Sequence, residues 1–262
     1  MAGPLALVTG ASAGIGEAMA RRLATGGYDL VIVARGRARL QALARDLESK
    51  HGVAVEVLAA DLTDPSDLAI VEERAADRDR PIDVLVNNAG FGTVGAFGDM
   101  PVDREANEIA LNVTALVRIT HAALGPMRER GSGRILNVSS IAGQQPTAGM
   151  ATYGATKAFV TSFTQAVREE VRGSGVVVTV LCPGFTRTEF QGRAGVDAAA
   201  VPGPLYQNAE QVAKAGLEAL DKGHAIVVSG WVNWAVATAT RLAPAGLTRR
   251  VAGLVMRRGT SG

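Results

Sequence analysis

Three kinds of residue near the middle of the chain could together carry acid–base chemistry. Tyr153 and Lys157 stand four residues apart, and Ser139 and Ser140 precede them by a short segment. If the residues from about Ala151 onward are helical, the tyrosine and the lysine lie on one helix face, one turn apart. A phenol has a pKa of about 10 in water, and a nearby ammonium favours the phenolate and lowers that pKa. The competing interpretation is an exposed pair with no catalytic role. The positions of the surrounding elements must distinguish between the two.

Short apolar runs that alternate with helical segments predict a parallel sheet. The predicted strands are Leu5–Thr9, Leu30–Ala34, Val53–Leu58, Ile82–Val86, Gly133–Val138, Val176–Leu181 and Ala225–Ser229. The predicted helices are Glu17–Thr25, one that runs to Lys50, one that begins near Pro65, Asp103–Arg130, Ala151–Arg172 and Ala209–Leu220. This order predicts an α/β fold, in which about seven strands form a doubly wound parallel sheet with helices on both faces.

Glycine, amide and small polar residues follow six of these strands at their carboxyl ends. They are Gly10–Gly16, Arg35, Asp61, Asn87–Gly90, Ser139–Ser140 and Pro183–Gly184. In a doubly wound sheet, ligands bind outside the carboxyl ends of the strands. Their joint placement at one edge therefore predicts a shared site, and it gives the Tyr153–Lys157 pair a functional context.

The first of these turns has the features of an anion site. Gly10-Ala-Ser-Ala-Gly14-Ile-Gly16 connects a buried strand to a helix, with the spacing G-x-x-x-G-x-G. Backbone N–H groups and the helix dipole at such a junction attract phosphate groups. The sequence therefore predicts that a dinucleotide binds here.

The end of the second strand indicates which dinucleotide binds. An acidic residue there accepts from a ribose 2′-hydroxyl, whereas arginine accommodates a 2′-phosphate. Here Arg35 is followed by Arg37 and Arg39, which favours NADP over NAD, although Arg39 is also interpretable as the solvated start of the next helix. Asp61, after the third strand, is a candidate partner of an adenine amino group, and an ordinary turn carboxylate is the alternative.

Composition narrows the class of protein. The chain has 262 residues, 47% of them hydrophobic, and a formal net charge of +2, which fits one large α/β domain and does not suggest nucleic acid. The one cysteine, Cys182, excludes an intramolecular disulfide and fits a reducing compartment. The sequence predicts no signal peptide, no membrane-spanning helix and no metal site, and we therefore expect a cytoplasmic protein. We expect one catalytic domain at residues 1–230 and a helical extension at residues 231–262.

Taken together, the motifs resemble those of the short-chain dehydrogenase/reductase family, in its shorter, single-domain, NADP-preferring branch. They are Thr9-Gly-Ala-Ser-Ala-Gly-Ile-Gly16, Asn87-Asn-Ala-Gly90, Asn112, Ser140, Tyr153-x-x-x-Lys157 and Pro183-Gly184. The resemblance covers roughly Leu5 to Ser229, and no departure touches the reactive residues. It implies a Rossmann-type fold and hydride transfer between NADP(H) and a carbonyl or alcohol carbon.

The resemblance also assigns roles to residues. Tyr153 matches the general acid/base, Lys157 the residue that lowers the tyrosine pKa and holds the nicotinamide ribose, and Ser140, rather than Ser139, the serine that polarises the carbonyl. Asn112 follows apolar neighbours, so the sequence alone leaves it either solvated or a polar group in the core; it matches the asparagine of a water-linked proton relay. The implied cofactor-binding residues are Gly10, Ser12, Ala13, Gly14, Ile15, Gly16, Arg35, Asp61, Leu62, Asn88, Ala89, Gly90, Tyr153, Lys157, Pro183, Gly184, Thr186 and Thr188.

The substrate and the assembly are less constrained. We expect the substrate to be a modestly apolar ketone, aldehyde or 3-oxoacyl compound. Residues Phe91–Asp99 are expected to line its entrance, and Thr186–Pro204 to form a mobile loop beside it. We expect a homodimer or homotetramer, with the helices Asp103–Arg130 and Ala151–Arg172 at the interface. The basic segment Leu247–Arg258 is expected to pack on its own domain or a second copy, with contact to an anionic membrane or cover of an acyl-sized pocket as alternatives. A catalytically silent NADP-binding regulator and a sugar epimerase or dehydratase are the competing functions.

Overall fold

A parallel sheet of seven strands forms the centre of the molecule. The computed structural model describes residues 3–190 and 206–235. The strands of the sheet are β1 (Leu5–Thr9), β2 (Asp29–Ala34), β3 (Val55–Ala59), β4 (Val84–Asn87), β5 (Gly133–Val138), β6 (Val176–Cys182) and β9 (Ile226–Val228). They lie in the order β3-β2-β1-β4-β5-β6-β9, and all pairs are parallel. Two short strands, β7 (Thr186–Arg187) and β8 (Gln207–Asn208), pair separately.

Helices cover both faces of the sheet. They are α1 (Gly14–Thr25), α2 (Arg37–His51), α3 (Pro65–Ala75), α4 (Val102–Ile109), α5 (Leu116–Glu129), α6 (Ala151–Glu170) and α7 (Ala209–Asp221). Because side chains alternate along a strand, Ala6 and Val8 of β1 face a core formed with α1, α2 and α7, whereas Leu5 and Leu7 face a core formed with α3, α5 and α6. The doubly wound α/β architecture predicted from the sequence is confirmed.

The helix predicted over Asp103–Arg130 is interrupted by a wider turn. Residues Ala110–Ala115 form a π-helical turn between α4 and α5. Such turns are rare and often occur at functional sites, because the extra residue changes the direction of the side chains around it. This one carries the buried side chain of Asn112.

Two predicted segments lie mostly outside the described residues. The loop Thr186–Pro204 is described only as far as residue 190, and of the extension only residues 231–235 are described, as the start of a helix. The basic segment Leu247–Arg258 lies entirely outside. Among the residues that are described, no helix combines the length and the apolar character needed to span a membrane.

Candidate active site

The glycine-rich turn after β1 forms a tight cradle at the start of α1. Gly10 and Gly14 have φ values of 67° and 60°, which favour glycine. A Cβ on Gly16 would lie 2.3 Å from the carbonyl oxygen of Gly10, so no side chain fits there. Ala13, the residue before the helix, provides no side-chain cap for α1. The first N–H groups of the helix are therefore available to an anion, as the phosphates of a dinucleotide require.

Asn88 supports this turn from the neighbouring strand. Its Nδ2 donates to the carbonyl oxygens of Thr9 at 3.0 Å and Gly10 at 3.4 Å. The Thr9 hydroxyl accepts from the backbone N–H groups of Asn88 and Ala89, both at 3.0 Å. The Asn88 side chain, predicted to bind the cofactor, thus joins the ends of β1 and β4 and holds the glycine turn in place.

A cleft of about 510 Å³ extends from the glycine turn along α2. Ser12, Gly14, Arg39 and Thr188 are among its lining residues. Arg39 lies in the exposed first turn of α2, as expected for the solvated start of a helix, and donates to both carboxylate oxygens of Glu189, at 3.1 and 2.9 Å. The lining thus combines the turn that binds phosphate in a dinucleotide fold with both basic and acidic side chains, among them Arg187 and Glu189.

Arg35 and Asp61 face each other at the ends of β2 and β3. Their side chains are 3.7 Å apart, and that of Arg35 is 75% exposed. Burial raises the pKa of Asp61, but hydrogen bonds from the Thr63 N–H and hydroxyl, together with the charge of Arg35, more than offset this and leave the pKa below its usual value. Asp61 therefore acts as a turn carboxylate through one oxygen, while the other lies near Arg35. The adjacent Leu62 is buried.

The segment after β6 packs against the start of the C-terminal extension. A Cβ on Gly184 would lie 2.2 Å from the side-chain amide of Asn233, which is buried and donates to the carbonyl of Ser229. The Thr186 hydroxyl donates to the Gly184 carbonyl at 3.1 Å. Thr188 lies against the glycine turn, since a Cβ on Gly14 would approach its Cγ2 to 3.0 Å. Of the two candidate threonines, Thr188 is thus the one beside the predicted phosphate site.

Helix α6 brings the predicted reactive residues together. Tyr153 and Lys157 are both buried, and the lysine Nζ lies 5.8 Å from the centre of the tyrosine ring. Nζ donates to the carbonyl oxygen of Val138, at the end of β5, at 3.0 Å. The Ser140 side chain, which follows β5, lies near enough to Tyr153 to lower the pKa of the phenol. The serine, the tyrosine and the lysine predicted from spacing therefore form one cluster.

The two neighbouring serines have different surroundings. The Ser139 hydroxyl lies 2.7 Å from both the carbonyl oxygen of Lys157 and the hydroxyl of Thr161, and it is buried. Ser140 accepts from the N–H of Ala142 at 3.1 Å and contacts Tyr153. Ser139 thus fastens β5 to α6, whereas Ser140 faces the phenol, which supports Ser140 as the reactive serine.

Asn112 holds the far side of the cluster. Its Nδ2 donates to the carbonyl of Phe91 at 2.9 Å and to the hydroxyl of Thr156 at 3.1 Å, and its Oδ1 accepts from the N–H of Phe91 at 3.1 Å. A Cβ on Gly90 would lie 2.8 Å from that Oδ1 and 3.4 Å from Nζ of Lys157. Asn112 is therefore a polar group in the core that fixes the strand end carrying Gly90 beside the lysine.

Burial shifts the pKa values of both members of the pair. The pKa of Tyr153 is raised to about 12, chiefly by burial and also by the charge of Glu108, while Ser140 opposes this rise. Burial lowers the pKa of Lys157 to about 8, against the opposing effects of Glu108 and Cys182. Burial therefore dominates the pKa of the phenol in the protein without its cofactor, and the lowering of the tyrosine pKa by Lys157 beside a bound nicotinamide stays a prediction.

The sequence analysis missed two buried carboxylic acids beside this cluster. Glu105 and Glu108 of α4 are 6% and 0% exposed, respectively. Both precede Asn112 on the same helical face, by seven and four residues, and that spacing is the signal that could have identified them. Thr93, which follows the Asn-Asn-Ala-Gly segment, contacts both carboxyl groups.

Comparisons with known proteins identify the class to which this fold and site belong. A buried Tyr–Lys pair and a glycine-rich turn, at one edge of a doubly wound sheet, define an oxidoreductase that uses a nicotinamide cofactor. The family model for the short chain dehydrogenases matches residues 4–198. The chain therefore belongs to the short-chain dehydrogenase/reductase family, whose members act on small molecules, and it is an oxidoreductase acting on CH–OH groups or the corresponding carbonyls.

Individual relatives support this assignment over most of the chain. Sulfoacetaldehyde reductase 2 from Chromohalobacter salexigens is 39% identical over 199 residues, which are 75% of this chain and 78% of that protein. A short-chain dehydrogenase from Sphingobium yanoikuyae, solved with NADPH, is 40% identical with a TM-score of 0.83, over 94% of this chain and 95% of that one. A bulky-bulky ketone specific alcohol dehydrogenase from Comamonas testosteroni is 33% identical with a TM-score of 0.79, over 94% of each chain.

Proposed function

We propose that this protein is an NADP(H)-dependent carbonyl reductase or alcohol dehydrogenase whose substrate is a modestly apolar ketone, aldehyde or 3-oxoacyl compound. The observation that carries the proposal is the contact of Ser140 with Tyr153, one helical turn from the buried Lys157. A bound nicotinamide supplies or accepts the hydride. The chain itself must supply a proton for the carbonyl oxygen and a second hydrogen bond to that oxygen.

Tyr153 and Ser140 suit these two tasks in the direction of reduction. With a pKa of about 12, the phenol stays protonated at neutral pH and can donate a proton to the developing alkoxide. The Ser140 hydroxyl, which lies beside the phenol and lowers its pKa, can orient the same oxygen. Lys157 is held by the Val138 carbonyl, and it provides the neighbouring positive charge that favours the phenolate left after proton transfer.

The preference for NADP rests on the end of β2. Arg35 is mostly exposed, and its 3.7 Å contact with Asp61 leaves guanidinium donors for a 2′-phosphate. No carboxylate stands at the end of β2, where an NAD enzyme would hold the ribose hydroxyl, since Ala34 and Gly36 flank the arginine. The relative from Sphingobium yanoikuyae was solved with NADPH, which agrees with this choice.

The apolar character of the substrate rests on the neighbours of Tyr153. The rings of Tyr153 and Phe190 are 5.5 Å apart, and a Cβ on Gly92 would lie 3.0 Å from the tyrosine ring and 3.1 Å from that of Phe190. The phenol thus lies beside the Phe190 ring and beside Gly92, which has no side chain. These neighbours favour a carbonyl with apolar substituents. A relative that acts on bulky ketones is compatible with such a wall.

The experiment is to follow NADPH absorbance with a panel of ketones, aldehydes, 3-oxoacyl thioesters and steroids. We expect turnover with at least one apolar ketone or 3-oxoacyl thioester. Binding of NADPH without turnover of any compound would instead support the catalytically silent regulator. Formation of a rearranged or dehydrated sugar nucleotide without net NADPH consumption would support an epimerase or dehydratase.

The cofactor preference has its own matched test. Replacing Arg35 by Asp should raise the KM for NADPH at least tenfold and lower that for NADH, because a carboxylate repels the 2′-phosphate and accepts from the 2′-hydroxyl. Arg45→Asp, at an exposed position of α2, is the control and should leave the ratio of the two KM values unchanged. Equal effects of both substitutions would show that only the overall charge matters.

We also propose a cytoplasmic homodimer or homotetramer, with residues 1–230 as the catalytic domain. The face of α6 that carries the stacked rings of Phe159 and Phe163 is the candidate contact, since Phe159 is partly exposed. Light scattering on the wild-type protein and on a Phe159→Glu variant tests this. A mass of one chain for the wild-type protein would contradict the oligomer. An unchanged oligomeric mass for Phe159→Glu would contradict the contact through this face of α6.

A further inference from the structure

The buried carboxyl groups of Glu105 and Glu108 contact hydroxyl groups of two threonines. Thr93 Oγ1 lies 2.6 Å from Glu105 Oε1 and 2.8 Å from Glu108 Oε2, and Thr93 is itself buried. The Thr152 hydroxyl donates to the second oxygen of Glu105. Within residues 3–190 and 206–235, no lysine or arginine is within salt-bridge distance of either carboxyl group. A pair of buried carboxylates without a counter-ion is costly, so their protonation must be examined.

The hydrogen atoms available in this cluster require one of the acids to be protonated. A threonine hydroxyl has one proton, so Thr93 can donate to only one of the two carboxyl groups. If both acids were ionised, the remaining short contact would place two oxygen lone pairs against each other. If one acid carries a proton, it donates to Thr93, and Thr93 donates to the other acid. The two carboxyl groups then share one proton through the hydroxyl between them.

The surroundings of the two acids place that proton on Glu108. Glu105 accepts from two hydroxyl groups, which favours its ionised form, whereas Glu108 Oε1 is buried and has no hydrogen-bond partner. The pKa of Glu108 is raised to about 7, chiefly by burial and also by the charge of Glu105, against the opposing effects of hydrogen bonds from Thr93 and the charge of Lys157. Glu108 can therefore gain or lose its proton near neutral pH.

This acid pair lies directly beside the reactive cluster. Thr152 precedes Tyr153 on α6, and Gly92 precedes Thr93 and packs on the tyrosine ring. The titratable groups that face Glu108 are Glu105 from its own helix and Tyr153 and Lys157 from α6, the helix against which α4 packs. A negative charge on Glu108 raises the pKa of both the tyrosine and the lysine.

We propose that Glu108 is a positioning residue that holds the proton shared with Glu105 through Thr93, and that release of this proton keeps Lys157 charged and Tyr153 protonated as the pH rises. The acid pair does not touch the reacting atoms. It acts through the two residues that do, so the proposal rests on the proposed function of Tyr153 and Lys157. Its physical claim about the lysine, however, is testable without any substrate.

The first test is the titration of Lys157 itself. The chain has only four lysines, and Lys50, Lys214 and Lys222 are exposed, so ¹³C NMR of lysine-labelled protein should distinguish the buried Lys157. In Glu108→Gln, which keeps a donor for Thr93 but carries no charge, Lys157 should titrate lower by roughly 0.5–1 pH unit. Asp103→Asn, an exposed charge removed from the same helix, should leave the titration unchanged. An unchanged Lys157 in Glu108→Gln overturns the proposal.

The second test locates the proton and remains decisive if Glu108→Gln does not fold. Infrared difference spectra, taken as the pH is raised through neutrality, should show loss of a protonated carboxyl band in the wild-type protein. Glu108→Gln should lack this change, and Glu105→Gln should show it at lower pH, because removing the charge of Glu105 makes Glu108 more acidic. Absence of the band from the wild-type protein, or a change at unaltered pH in Glu105→Gln, would refute the shared proton.

The kinetic consequence separates this proposal from the proposed function. With any substrate that is reduced, the alkaline limb of kcat/KM should move to lower pH in Glu108→Gln but not in Asp103→Asn. If no substrate is turned over, the proposed function fails while the NMR and infrared results still decide the role of Glu108. If turnover occurs and the alkaline limb does not move, the proposed function stands and the role of Glu108 is refuted.

Discussion

The Nζ atom of Lys157 lies 5.8 Å from the centre of the Tyr153 ring, one turn away on the same helix. The lysine is fastened by a 3.0 Å hydrogen bond to the Val138 carbonyl, so its position is set by the end of β5 as much as by α6. In the protein alone, burial dominates the pKa values of both groups and favours the neutral phenol. This arrangement suits a tyrosine that acts first as an acid.

Removing the phenol should separate chemistry from binding. We expect Tyr153→Phe to abolish measurable turnover, with a loss of at least roughly 10²–10⁴-fold, because the variant has no proton donor for the carbonyl oxygen. Its ring keeps the contact with Phe190, so we expect the fold to survive the substitution. Initial rates and NADPH fluorescence titrations check this. Unchanged turnover would refute the mechanism, whereas loss of NADPH binding would indicate a collapsed site.

The adjacent serines should separate activity from stability. Ser140→Ala should lower kcat about 10²-fold or more, because its hydroxyl faces the phenol, and should lower the unfolding free energy by about 1 kcal/mol through loss of the hydrogen bond from the Ala142 N–H. Ser139→Ala should lower the unfolding free energy by about 1–3 kcal/mol, because it removes the hydrogen bonds of the buried Ser139 hydroxyl with the Lys157 carbonyl and the half-buried Thr161 hydroxyl. Rates and urea denaturation of both variants measure this. The opposite pattern would make Ser139 the reactive serine.

Glu108 should make stability depend on pH. Its pKa is about 7 in the folded protein against an ordinary value of 4.5, so the folded state retains a proton that the unfolded chain releases. Its contribution to stability is therefore fully present below about pH 4.5 and is lost as the pH rises through about 7. Glu108→Gln lacks this loss, and relative to the wild type it should gain up to about 3 kcal/mol between mildly acidic and mildly alkaline solution.

Urea denaturation at the two ends of this pH range measures the effect. Asp103→Asn serves as the matched control and should follow the wild-type pH dependence, because Asp103 is exposed on the same helix. A wild-type and a Glu108→Gln protein with parallel pH dependence would mean that Glu108 has an ordinary pKa.

The contact between Gly184 and Asn233 should couple the segment after β6 to the C-terminal extension. A Cβ on Gly184 would overlap the Asn233 amide, so Gly184→Ala should cost about 1–3 kcal/mol and weaken NADPH binding. Adding Asn233→Ala should recover part of that loss, since it removes the overlapping group. Gly125→Ala is the control, because no atom lies within 4 Å of a Cβ there. Thermal denaturation of the wild-type protein, the two single variants and the double variant measures the coupling. Strictly additive losses would refute it.

Much of the architecture was predictable because it depends on local pattern. The apolar runs and glycine turns specified the strand order along the chain, and all seven strands lie within two residues of their predicted starts. The Tyr153–Lys157 spacing predicted a shared helix face, and α6 confirms it. The preference for Ser140 over Ser139 came from family resemblance, and the hydrogen bonds of Ser139 now give it a physical reason.

The sequence by itself determined the parallel sheet, the glycine-rich turn and the set of side chains at its edge, because periodicity and spacing act over a few residues. Only the tertiary structure decided what those side chains contact. It assigned Asn88 to supporting the glycine turn, interrupted the long helix at Asn112, and brought Glu105 and Glu108 beside the reactive pair. Burial then set the pKa values, and burial depends on how distant segments pack, which no local pattern contains.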